Sequence, residues 1–121
     1  MKILQLSNAT RGGEIALHCV LADNFWTRGK GLLGRSDLPA GEAILLVPGA
    51  SIHMFGMKFS IDALFLTSDD IVTDIVENLA PGKMHVAKAG AGKPFATLEL
   101  PAGTVARLGV QIGDQIERKE I

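Results

Sequence analysis

One cysteine, Cys19, is all the thiol this chain of 121 residues contains. That scarcity excludes an internal disulfide and any cysteine-rich zinc site. Net charge is missing as well. Lys and Arg number 12 against 13 Asp and Glu, so no global field points to nucleic acid or an anionic membrane. Any recognition of charge must therefore be local. No apolar run approaches the length of a membrane span. The opening Met1–Leu6 is too short, and too soon followed by Ser7, Asn8, Thr10 and Arg11, to serve as a signal peptide. The expectation is a cytoplasmic protein as the chain is given, or an exported one if a leader was trimmed. Repeats, linkers and low-complexity segments are absent too, and the length suits a single domain over residues 1–121.

Glycine, by contrast, is plentiful. Fourteen of them predict many turns, which suits short strands better than long helices. Strands are expected at Lys2–Leu6, Glu14–Leu21, Ala43–Val47, Ile71–Leu79, Met84–Lys88, Phe95–Leu100 and Gln115–Ile121. In Glu14–Leu21 the alternation places Ile15, Leu17, Cys19 and Leu21 on one face, with His18 on the wetter one. Cys19 then reads as a small buried hydrophobe. Ser68-Asp69-Asp70 reads as a hairpin turn making Ile71–Leu79 antiparallel to Ile61–Thr67. Asp23 is a fair N-cap, and Phe25, Trp26, Leu32 and Leu33 recur at helical spacing, so Asn24 to about Leu33 is the expected main helix. A shorter helical turn is expected over Val105–Leu108, stopped by Gly109. These elements argue for a mainly β fold with one principal helix, either a β-sandwich or a partly closed barrel.

The most apolar stretch runs from Ser51 to Thr67 and holds a histidine, a lysine and an aspartate, His53, Lys58 and Asp62. Polar groups inside such a run must be paired, or stand at the mouth of a pocket, or be costly. Asp62, between Ile61 and Ala63, needs a cation or turn amides, and a buried pair with Arg28 or Lys58 is the simplest arrangement. Arg28 and Arg35 are seven apart, nearly one azimuth on an ideal helix. Two converging guanidiniums can grip a carboxylate or phosphate, or each can pair locally, Arg35 with Asp37 and Arg28 with Asp62 or Glu42.

Three segments together resemble a known family. They are Arg28…Gly31-Leu32-Leu33 with Arg35 and Leu38, then Ile52-His53-Met54-Phe55-Gly56-Met57-Lys58-Phe59-Ser60-Ile61-Asp62, then Leu98-Glu99-Leu100-Pro101-Ala102-Gly103-Thr104 with Gly113-Asp114. The chain is similar to the domain-of-unknown-function family 192, small prokaryotic proteins, some of them exported. The resemblance runs collinearly over about positions 14 to 118. It implies a mainly β sandwich of jelly-roll type with a helix packed on it, and implies no activity. Leu33 and Ser60 stand where that family commonly has methionine and proline.

Three functional readings follow. The first is a binding module whose cleft, rimmed by Arg28, Arg35, His53 and Lys58 with Asp62 nearby, takes a small anionic or sugar-like ligand. The second is a structural or protein-interaction domain in which these polar groups pair internally. The third is an enzyme with His53 as general acid or base and Asp62 beside it. His53, His85 and Asp62 have the right ligand types for zinc, but their spacings fit no compact motif, so no metal site is expected. No serine sits on a nucleophile elbow, and Gly90-Ala91-Gly92-Lys93 lacks the rest of a phosphate loop. No cofactor is implied.

Overall fold

The computed structural model describes residues 2–24, 28 and 31–121. Nine strands are described: β1 (Ile3–Asn8), β2 (Glu14–Ala22), β3 (Glu42–Leu46), β4 (Ser51–His53), β5 (Ile61–Leu66), β6 (Val72–Leu79), β7 (Met84–Val86), β8 (Ala96–Pro101) and β9 (Ile116–Glu120), with the short helix α1 (Thr104–Leu108) between β8 and β9. Seven of the strands form one sheet in the order β6-β5-β8-β3-β2-β1-β9, while β4 and β7 pair separately. Every neighbouring pair is antiparallel except β2 and β3. Half of the expected main helix over Asn24–Leu33 lies outside the described residues. Of that segment, Arg28 is helical, its amide donating to the Asn24 carbonyl, and residues 31–34 form turns.

The large sheet curls strongly into a half-barrel. Its two edges are brought together at one end, where Ile71 bridges Gln115 and the Ile116 amide donates to the Asp70 carbonyl. Arg118 closes the same corner with a two-pronged grip on Asp70 at 2.7 and 2.8 Å. Such bidentate contacts fix orientation as well as adding energy.

Why β5 reads as an unbroken apolar run is now plain: both of its faces are covered. Leu64 and Leu66 enter one core with Leu4, Leu6, Cys19, Leu98 and Leu100, while Ile61, Ala63 and Phe65 enter a second with Leu32, Ile44, Ile52 and Met54. The β4–β7 pair and the segment around Leu32 lie over that second face. Phe65 is wholly buried there, and truncating it to alanine is expected to cost about 3–5 kcal/mol.

Expectation and structure part company in β2. Leu17 is 50% exposed and Ala16 is buried, the reverse of the expected alternation. The register against β1 slips between Leu4↔Cys19 and Leu6↔Ala16, and the amides of Leu17 and His18 both donate to the Gly41 carbonyl. An extra residue in one strand reverses the facing locally, and a second slip before Ser7↔Glu14 returns Ile15 to the core. Cys19, beyond the slip, is buried as expected, and burial pushes its thiol up to about 12.

Candidate functional site

A pocket of about 180 Å³ opens at the margin of the second core. Its walls are Leu32, Leu46, Ile52 and Met57, with Arg28, His53, Leu33 and Phe55 among its lining and Glu99 part of it. Each side chain arrives there for a local reason. His53 ends β4, on the face opposite buried Ile52, and is exposed and stacked on Phe55 with ring centroids 5.2 Å apart. Phe55 itself is 55% exposed, in the turn that leads to Gly56. Arg28 reaches across to donate to the Pro48 carbonyl at 3.2 Å, with a longer 3.4 Å contact to Asn24 O. Among the described residues it has no carboxylate partner.

Glu99 is the group that reading the sequence did not single out. It lies on β8, opposite Ile44 of β3 and Ala63 of β5, on the face away from Leu98 and Leu100. An inner strand of a covered sheet is no ordinary place for a carboxylate. Only 7% of the residue is exposed, and no described residue hydrogen-bonds to its side chain. Burial alone pushes its carboxyl from an ordinary 4.5 up to about 7. Desolvation penalises the charged form, and no described residue offsets that penalty. The sequence did carry a signal: Glu99 alternates with Thr97 against Leu98 and Leu100 in a strand flanked by apolar partners. Nothing in one strand, however, says whether its polar face is wet.

Arg28 and His53 do share a pocket. Arg35 does not join them; it pairs with Glu42 at 3.2 Å on a partly exposed surface. That differs from the expected Asp37, and the pairing of Arg28 with Glu42 or Asp62 is not formed either. Lys58 is exposed in the connection between β4 and β5 and does not line the pocket.

Asp62 is wholly buried, yet its partner is no cation. Oδ1 accepts from the Asn78 amide and Oδ2 from the Val105 amide, both at 2.9 Å. Two adjacent defects explain this. Between Ile61↔Leu79 and Ala63↔Val76 the β6 strand carries an extra residue, which frees the Asn78 amide from the ladder. The first turn of α1 has no acidic residue, and its Gly103 cap offers no side-chain acceptor. A carboxylate from β5 supplies what both backbones lack. This is the turn-amide solution that the sequence allowed, in place of the Arg28 or Lys58 pair.

His85 forms a separate cluster. Its Nε2 lies 2.7 Å from Asp74 Oδ2, which also accepts from the Lys88 amide, and its ring stacks on Phe65. The hydrogen bonds from His85, Lys88 and Ile75 hold the Asp74 carboxyl below its usual range, against the opposing effect of burial. Among the described residues, no three His, Cys, Asp or Glu side chains converge as a metal would need. No described helix is long and apolar enough to cross a membrane.

Residues 7–118 match the family DUF192, described as an uncharacterized ACR. The chain is similar to a UPF0127 protein of Pyrococcus furiosus, 35% identical over 115 residues that span 91% of this chain and 94% of the relative. A UPF0127 protein of Thermococcus sibiricus is 34% identical, with 93% of this chain and 73% of the relative covered. Two crystal structures share the fold. One, from Sinorhizobium meliloti and described as a candidate transcription regulator, superposes with a TM-score of 0.78 at 29% identity, covering 97% of this chain and 92% of that one. The other, a protein of unknown function from Novosphingobium aromaticivorans, gives 0.77 at 26% identity, covering 95% and 83%.

Proposed function

The chain belongs to the DUF192 family of uncharacterised proteins, and we propose that it is a small binding module whose pocket takes a polar ligand bearing an acidic group. Arg28 is the observation that carries this reading. A guanidinium held at a pocket wall by backbone carbonyls, with no carboxylate among the described residues to neutralise it, is prepared to receive an anion. His53 adds a second donor at the same mouth, and Phe55 and Leu33 offer apolar surface to the rest of the ligand. The pocket is below the roughly 300–1,000 Å³ typical of drug-sized ligands, so its occupant is a few carbons long or is the end group of something larger.

Thermal unfolding in the presence of millimolar small carboxylates and sugar acids tests the proposal. Ligand at about ten times its Kd stabilises the folded state by RT ln 11 and raises the midpoint by a few °C. That rise is expected for at least one acid and is expected to vanish in Arg28→Ala. Absence of a shift with every acid, or an undiminished shift in Arg28→Ala, would overturn the reading.

A further inference from the structure

Resting on that binding reading, we infer that Glu99 is the specificity-determining residue of the pocket and that the ligand is a hydroxy acid, its hydroxyl meeting the Glu99 carboxyl while its acid group meets Arg28. Three observations converge on it. Glu99 is more than nine-tenths buried, it belongs to the pocket lining, and its carboxyl has no hydrogen-bond partner among the described residues. Buried polar side chains are nearly always hydrogen-bonded, so one left open toward a cavity is a place held for a ligand atom.

The backbone above Glu99 is consistent with access. Gly31 passes over the carboxyl with φ +46°, and a Cβ there would lie 3.8 Å from Glu99 Oε1. With no side chain at that point, the way to the carboxyl stays open.

The chemistry of the partner follows from the surroundings. Across the sheet Glu99 faces Ile44 and Ala63, and the charged and titratable groups that share its pocket are Arg28 and His53. An ammonium group brought to this floor would make a buried ion pair, whose desolvation largely offsets its attraction. It would also demand an ionised Glu99. A hydroxyl both donates and accepts, so it satisfies the carboxyl in either protonation state. An unsubstituted acid would cover the carboxyl without offering it a partner, a loss felt in affinity because water is displaced from it and not replaced.

Calorimetric titration at pH 7 with glycerate, lactate, propionate and alanine tests this in the intact chain. Glycerate or lactate is expected to bind at least about tenfold tighter than propionate. That preference is expected to collapse in Glu99→Leu and to persist within a few-fold in Glu99→Gln, whose amide can still donate and accept. Melting curves of both variants establish that they are folded. Equal affinity for propionate and glycerate, a preference for alanine, or discrimination that survives Glu99→Leu would overturn the inference while leaving acid binding at Arg28 in place. Failure of all four acids to bind would overturn this inference as well, and the underlying reading falls with it only when no acid raises the melting midpoint.

Discussion

Gly31 and Glu99 are stacked: the missing side chain of the first lies over the carboxyl of the second, where a methyl would sit 3.8 Å from Oε1. Gly31→Ala is therefore expected to narrow the way to the carboxyl and weaken ligand binding several-fold. Its effect on stability should be modest, about 1–2 kcal/mol, because the added carbon meets no atom closer than 3.7 Å and the strain is that of one left-handed residue. Calorimetry on the variant beside a melting curve separates the two effects.

The same carboxyl gives the protein an unusual dependence on pH. Its folded value of about 7 lies above the ordinary 4.5, so the folded state binds the proton more tightly than the unfolded one. Stability is therefore greatest below 4.5 as far as this group is concerned, and falls as pH rises to 7. At about 1.4 kcal/mol per pH unit, the loss amounts to roughly 3 kcal/mol. Glu99→Gln should flatten this slope between pH 5 and 7, seen in urea unfolding across that range. Identical slopes in the two proteins would show that Glu99 is not desolvated.

Asp62 should behave as a structural residue. Asp62→Ala leaves the buried amides of Asn78 and Val105 without an acceptor and is expected to destabilise by about 3–5 kcal/mol. Ligand affinity, measured well below the melting temperature, should stay near the wild-type value. A large loss of affinity with little loss of stability would restore Asp62 to the site.

Arg35→Ala is expected to do almost nothing. The ion pair with Glu42 is over a third exposed on both sides, and such pairs contribute about 0–1 kcal/mol. Both melting temperature and acid binding should match the parent, in contrast to Arg28→Ala.

Acid should loosen the Asp74 cluster. Since its folded carboxyl titrates below the ordinary aspartate value of 3.8, the group stabilises the fold above that pH and ceases to do so as pH falls through its lower folded value. The stability gap between wild type and Asp74→Asn should accordingly shrink below pH 4, as followed by urea unfolding. A gap independent of pH would contradict the assigned hydrogen bonds.

Much of the fold was legible in the sequence, because alternation, Gly and Pro mark strand ends through local rules. The β5–β6 hairpin, β8 and the Gly109 stop all fall where those rules put them. Leu17 did not, since one extra residue opposite β1 reverses a face and leaves no mark in the sequence. The site was half legible. Arg28 and His53 stood out as polar residues in apolar company, and they do line one pocket. Arg35 and Asp62 looked equally odd, but their partners come from β3 and from backbone amides on β6 and α1, which no spacing along the chain announces, and Lys58 stands exposed outside the pocket. Glu99 was hidden for the opposite reason. A glutamate in an alternating strand looks ordinary until both neighbouring strands prove apolar and the face proves covered.

Backbone and side-chain NMR of the isotope-labelled protein, titrated with glycerate, tests most directly whether one pocket joins these groups. Saturable shifts are expected, concentrated at Arg28 Nε–H, the His53 ring and the Glu99 carboxyl carbon, with Arg35, Lys58 and Asp62 unmoved. Shifts absent up to high millimolar glycerate, or spread over the surface lysines and arginines while Glu99 stays still, would contradict the shared pocket.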